Sequence, residues 1–184
     1  MQRRSFLTFA VGAATGTVYS LPLPAFADMS AASLPVQPVR AGQDRLEEIH
    51  NFGISTIRFK VLPEESNGNM LMLEHSNNAT GGPPRHVHPH QDEWFYALEG
   101  EFVIEIRGVR HTLHSGDSIL APRSVPHVWA FNGDGKGKLL VGFTPAGKME
   151  AFFRTVGKTN AMPRQDAALF REHDMELLGP PLAL

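Results

Sequence analysis

Cysteine is absent from all 184 residues, so no disulfide can staple the fold, and any metal ligands must be His, Asp or Glu rather than thiolates. An excess of positive charge is missing as well: 17 Lys and Arg face 19 Asp and Glu. The most basic feature, "GDGKGK" at 133–138, reads as a solvated hairpin tip and not as a phosphate-neutralising surface, which argues against a nucleic-acid partner. No uninterrupted apolar run approaches the ~20 residues that a membrane-spanning helix needs. Internal repeats are absent too, which favours one domain over a duplicated pair.

The N-terminus carries an address. "MQRRSFLTFAVGAATGTVYSLPLPAFA" opens with Arg3 and Arg4, runs through a mainly apolar stretch and closes on Ala25, Phe26 and Ala27. That is the layout of an export signal, here over residues 1–27. The Arg pair ahead of Ser5, Phe6 and Leu7 resembles the twin-arginine type, which is read by export machinery that moves folded proteins and predicts a periplasmic product. Gly12, Gly16, Pro22 and Pro24 interrupt the stretch, so after cleavage at Ala27 no stable membrane anchor is expected. The remaining 157 residues keep 15 basic and 19 acidic side chains, a formal charge of −4, and suffice for one domain with its own core.

Residues 28–44 are rich in Ala, Ser, Pro and Gln without periodicity and read as a linker or N-terminal arm. From Arg45 to Gly157 short apolar runs follow one another: "RLEEIH", "ISTIRF", "MLMLEH", "EWFYAL", "FVIEIR", "VRHTLH", "DSILA", "HVWAF" and "KLLVGF". Such a series predicts an all-β sandwich or barrel. Turns at Glu99-Gly100, Arg107-Gly108 and Ser115-Gly116 predict antiparallel hairpins between consecutive strands. Met149, Phe152, Phe153 and Val156 are spaced i, i+3, i+4, i+7, which predicts an amphipathic helix after the last strand. A second short helix is expected beyond Pro163 through "RQDAALFREH", within a C-terminal segment 158–184 whose "GPPL" ends regular structure.

Imidazole and carboxylate gather at one place. In "PPRHVHPHQDEWFY", His86 and His88 are two apart, so on an extended segment both rings leave the same face. A turn through Pro89 to Asp92 brings Glu93 back towards them, and Glu93, Phe95 and Ala97 share a face of the following strand, with Trp94, Tyr96 and Leu98 on the other. His127, opening "HVWAF", is the candidate fourth ligand by the parity that also turns Trp129 and Phe131 inward. His90 shares the parity of His86 and His88 and could replace one of them, but the turn at Pro89 and the spacing to Glu93 favour a place behind the ligands or at the surface. His111 and His114, like His50, His75 and His173, are expected to be solvent-facing or satisfied.

These residues resemble the two motifs of a single-domain cupin of the quercetin-dioxygenase-like branch. The first has two His separated by one residue, four more residues, a Glu, six residues and a Gly, here His86, His88, Glu93 and Gly100. The second is matched by Gly116, Pro122 and His127, with 15 residues between the motifs. Thr80, Ser124 and the late Asn132 depart from the pattern, in loops. The tail "HDMELLGPPL" also resembles the C-terminus of such proteins. The resemblance implies a jelly-roll barrel, a centre of three His and one Glu for one divalent transition metal per chain, and a homodimer; the face of Trp94, Tyr96 and Leu98 is a candidate interface, and packing beneath another strand explains it equally well.

Three imidazoles and a carboxylate suit Fe, Mn, Ni, Cu or Zn and leave two positions of an octahedral ion open. Folding before export favours Fe or Mn, because the site closes on a cytoplasmic ion before it meets a pool in which Cu and Zn win. A small organic substrate with adjacent oxygens, such as an enediol, flavonol or diketone, can chelate there and meet dioxygen, with Glu93 as ligand and general base. Phe95, Ile104, Trp129 and Phe131 are expected to line a greasy substrate pocket. The expected activity is that of a metal-dependent dioxygenase. The same ligands also serve a non-catalytic binding cupin or an oxygen-independent isomerase or lyase.

Overall fold

The computed structural model describes residues 37–184. The export signal at 1–27 and the arm up to residue 36 lie outside the described residues. In chain order the strands are β1 (His50–Asn51), β2 (Ser55–Val61), β3 (Leu71–Asn77), β4 (Pro84–Val87), β5 (Asp92–Glu99), β6 (Phe102–Ile106), β7 (Val109–Leu113), β8 (Ser118–Ala121), β9 (His127–Phe131), β10 (Gly137–Thr144) and β11 (Glu176–Pro181). Helices α1 (Met149–Gly157) and α2 (Ala167–Glu172) lie between the last two strands. Among the described residues no helix is long and apolar enough to cross a membrane.

The strands form two sheets, one in the order β1-β2-β3-β10-β5-β8 and the other β11-β4-β9-β6-β7, the jelly-roll arrangement expected. Alternation builds the interior. Leu71, Leu73 and His75 of β3, Glu93, Phe95 and Ala97 of β5, and Leu139, Val141 and Phe143 of β10 are all buried, with less buried residues between most of them. Strands β6 and β9 are buried on both faces, because Val103, Val128 and Ala130 form a second small cluster with Leu182 of the C-terminal tail.

Several expectations need correction. Only one of the three proposed hairpins closes as a two-residue turn between paired neighbours: β6 and β7 pair through Arg107 and Gly108 at φ +54° and +78°, the double positive φ of a tight hairpin. At Glu99-Gly100 and Ser115-Gly116 the chain crosses from one sheet to the other, and β5 pairs with β10 and β8 instead of β6. The run at 45–50 is strand only at His50. Upstream, the Asp44 carboxylate accepts hydrogen bonds from the backbone N–H of Leu46 and, across the chain, of Phe59, which holds the segment in a turn. "GPPL" does not end regular structure: Gly179, Pro180 and Pro181 belong to β11, which pairs with β4. That strand is the edge of its sheet, where a missing proline N–H costs no ladder bond.

The two helices form a cap beside the barrel. Helix α1 buries Met149, Phe152, Phe153 and Val156, each worth roughly 2 kcal/mol when removed from water. Helix α2 is shorter than expected because it starts only after Asp166, the capping residue whose carboxylate accepts from the N–H groups of Ala168 and Leu169 at 2.9 and 3.2 Å. Its Phe170 packs edge-to-face on Phe152, centroids 5.5 Å apart. The cap is thereby an extension of the core.

Candidate metal centre

Sheet pairing explains how distant residues meet. His86 on β4 is the register partner of His127 on β9, so two residues 41 positions apart point inward side by side from one sheet. His88 follows two residues on. Glu93 comes from the opposite sheet, at the start of β5, where Asp92 is anchored by Arg123: Nη2 lies 2.7 Å and Nε 3.1 Å from the carboxylate, and the Arg123 N–H donates to it at 2.7 Å. Those bonds hold the Asp92 carboxyl below its ordinary range. The Ser124 N–H donates to the His88 carbonyl at 2.8 Å, tying the loop before β9 to the loop after β4.

One ligand atom from each of His86, His88, Glu93 and His127 lies within 4.8 Å of the others, and all four side chains are buried. Nε2 of His127, His88 and His86 lies 2.7, 3.2 and 3.8 Å from Glu93 Oε2, and Nε2 of His86 is 3.1 Å from that of His88. Ligand bonds of about 2.1 Å set at right angles place neighbouring donors about 3 Å apart, close to this spacing.

The hydrogen bonds behind the rings decide the tautomers. Nδ1 of His86 sits 2.7 Å from the Pro84 carbonyl and Nδ1 of His127 2.9 Å from the Val125 carbonyl. A carbonyl only accepts, so both rings carry a proton on Nδ1 and turn Nε2 inward, the orientation that ligating histidines adopt. Lone pairs and a carboxylate aimed at one point repel each other unless a cation lies between them, so the donor set fits a metal ion. Without one, a second proton on His127 serves: burial pushes its pKa down, but the hydrogen bond and charge of Glu93 outweigh that and raise it. Burial likewise pushes Glu93 up, but the surrounding imidazoles of His127, His86 and His88, with His127 in hydrogen-bond contact, outweigh that and hold it well below its usual range. His88 is driven down to about 4 by burial, against the attraction of Glu93.

The centre opens on a narrow cavity that leaves about 30 Å³ for the centres of water molecules, room for about two waters. His86 and Glu93 line it together with Phe52, Phe143, Phe152 and Phe153. Of the four pocket residues expected, Trp129 also lines it. Phe95, Ile104 and Phe131 do not, although all three point inward as their parity required. Phe95 and Ile104 are filled in as fully buried core, and Phe131 packs against Phe102 at 5.3 Å, at the end of β9 away from His127. Sequence reasoning missed the contribution of the cap, whose Met149 and Phe170, with Met162 and Met175 from the segments flanking α2, close the cavity. The amphipathic spacing of α1 was its visible signal.

His75 is also misplaced by the expectation of a solvent-facing or satisfied ring. It is 4% exposed, lines the cavity, and its Nδ1 has no hydrogen-bond partner among the described residues. Its parity with Leu71 and Leu73 carried that information. His50 is buried as well, with Nε2 3.6 Å from Glu48, too far for a hydrogen bond. His90, His111 and His114 are exposed, and His173 is buried with Nδ1 2.9 Å from the Leu169 carbonyl.

Comparison with known proteins matches residues 74–143 to the cupin domain family. The curated Protein SchB of Streptomyces halstedii is 32% identical over 60 residues, which is 33% of this chain and 44% of that protein. The chain thus spans less than half the length of that relative. Solved structures to which the chain is similar include an RmlC-like cupin from Shewanella frigidimarina (24% identity, 62% of this chain and 99% of that one, TM-score 0.48). KdgF from Halomonas sp. is 20% identical over 50% of this chain and 79% of its own, with a TM-score of 0.43. A protein described as a predicted oxalate decarboxylase from Thermotoga maritima is 18% identical over 49% and 79%, with a TM-score of 0.46.

Proposed function

Residues 74–143 match the cupin domain family, and from that premise we propose that the protein is a metal-dependent dioxygenase of the quercetin-dioxygenase-like branch, acting on a small chelating substrate of enol, flavonol or diketone type. The observation that carries this reading is the buried cluster of His86, His88, Glu93 and His127, of which His86 and Glu93 face a cavity whose other walls are mostly aromatic, thioether and proline side chains. Four protein ligands leave two octahedral positions for a guest, and the apolar walls favour an enolic or aromatic guest over a free sugar.

A divalent transition metal held by these four residues would supply Lewis-acid polarisation of a chelating hydroxyl. The chain's own residues do the rest. All three imidazole contacts to Glu93 fall on Oε2, which leaves Oε1 free of them, and in this reading it takes the proton from a guest's hydroxyl. Because the imidazoles hold the Glu93 carboxyl low, it is a weak base and serves a guest whose hydroxyl is already acidified. The aromatic walls exclude water while that proton moves.

The expected metal is iron or manganese, and the expected compartment the periplasm, reached through twin-arginine export of the folded chain. A homodimer is proposed through the outer face of β5 and β8, where Trp94 pairs with Leu120 and stacks obliquely on Tyr96 at 5.7 Å, while Leu98 and Leu120 stand 43% and 48% exposed. Leu120→Glu should give a monomer in light scattering; an unchanged mass removes this interface.

The activity is tested by oxygen uptake from iron- and manganese-loaded protein offered flavonols, enediols and 1,3-diketones. Uptake that disappears in His127→Ala is the expected result. Conversion of the same compounds under argon would replace the oxygenase by an isomerase or lyase. Tight binding without turnover would replace it by a binding protein.

A further inference from the structure

His75 stands apart from the four clustered residues and faces the same cavity. Its ring is boxed by Trp129, Phe153 and Phe52, with centroids 5.0, 6.1 and 6.5 Å away and all three contacts edge-on. A buried nitrogen without a partner costs about 1–3 kcal/mol, and packing alone would be served better by Phe or Leu. Burial, only partly offset by the charge of Glu93, lowers the His75 pKa to about 4, so the ring is neutral at physiological pH. A neutral imidazole offers one donor and one acceptor.

Position sets the distance to the metal centre. His75 touches Trp129, which is two residues beyond His127 on β9. Two strand residues span roughly 7 Å, whereas on the facing sheet His75 is level with Leu139 and Leu139 with Ala97, four residues and roughly 13 Å along β5 from Glu93; one oxygenated ring with its hydrogen bond at the far end falls between these lengths. The cavity is too narrow for a ring as it stands, but Met149, Met162 and Met175 of the cap form part of its wall, and unbranched thioether side chains repack around a guest more readily than any other apolar residue.

We propose that His75 is the specificity-determining residue for the far end of the substrate: it hydrogen-bonds a hydroxyl or carbonyl on a single oxygenated ring whose adjacent oxygens face His86 and Glu93. This rests on the chelating-substrate reading above and narrows it to a ring oxygenated at both ends. A buried polar group left unpaired by the wrong guest is what makes such a site selective.

The test compares catechol with 1,2,4-trihydroxybenzene, which adds one hydroxyl at the far side of the ring, on manganese(II)-loaded protein under argon. Binding is read from quenching of the two tryptophans, of which Trp129 lines the cavity, and metal content is measured on every sample. Wild type should favour the triol about three- to tenfold, the range of one net hydrogen bond. His75→Phe should bring the ratio close to one without loss of manganese, and His75→Gln should restore part of it. A preference that is absent in wild type, or that survives in His75→Phe, overturns the role of His75 and leaves the chelating reading standing. If neither phenol binds to fully loaded wild type, the chelating reading itself fails and takes this inference with it. Loss of manganese in both variants would make His75 part of the metal centre and overturn its role at the far end.

Discussion

Burial of a neutral imidazole at position 75 has a measurable consequence in acid. The folded protein holds His75 near 4, against an ordinary 6.5, which the unfolded chain adopts. Below pH 6.5 the unfolded chain therefore binds a proton that the folded protein refuses until about pH 4. The folded pKa is depressed, so the stability contribution is complete above pH 6.5, falls between 6.5 and 4, and is lost below. At about 1.4 kcal/mol per pH unit, the gap amounts to about 3 kcal/mol. His75→Phe keeps a flat ring among Phe52, Trp129 and Phe153 and removes this titration. Urea unfolding with chelator present, at intervals from pH 7.5 to 4.5, measures it, because other titrating groups are shared and cancel in the difference. Wild type should lose about 2 kcal/mol or more relative to the variant over that range, most of it below pH 6. Parallel curves would show that His75 titrates as if in water, and the account of its surroundings would be wrong.

Three further outcomes follow from named contacts. A Cβ at Gly137 would collide with the Phe131 ring and press on that of Phe102, so Gly137→Ala should destabilise by about 1–3 kcal/mol in urea, the usual cost of overpacking. Asp166→Ala removes the acceptor for two N–H groups at the start of α2 and should cost about 1 kcal/mol, with faster hydrogen exchange over 167–173 than over β3. Metal affinity should rise with pH: in the metal-free protein the proton shared by His127 and Glu93 stabilises the fold fully below pH 6.5 and is lost as pH passes the raised folded value. A metal must displace that proton, so the apparent affinity should climb about tenfold per pH unit below that value and level off above it; a flat profile in competitive chelator titrations would contradict the assignment.

Much of the site was legible because ligand spacing and strand parity are local properties. His86 and His88 share a face by counting alone, and Glu93 and His127 follow from the inward parity of β5 and β9. What local reasoning could not see was the third dimension. A Gly-containing turn looks the same whether the chain pairs back on itself, as at Arg107-Gly108, or crosses to the other sheet, as at Glu99-Gly100. Parity says that Phe95, Ile104 and Phe131 point inward but not how far along the barrel they lie, and the cavity lies elsewhere among the inward residues. Two prolines hid β11, since edge strands tolerate what central strands do not. His75 was readable from the alternation of "MLMLEH", yet a lone histidine at an inward position attracts attention only when its nitrogen proves unpartnered.

The central claim is that four side chains from β4, β5, β9 and the loop after β4 hold one metal ion. Elemental analysis of the exported protein, beside Glu93→Gln and His127→Ala purified in the same way, tests it most directly. Wild type should carry close to one equivalent of iron or manganese and each variant far less, with the circular dichroism of the barrel retained. A wild type that carries no transition metal after gentle purification and takes none up, or variants that bind as much as wild type, would contradict it.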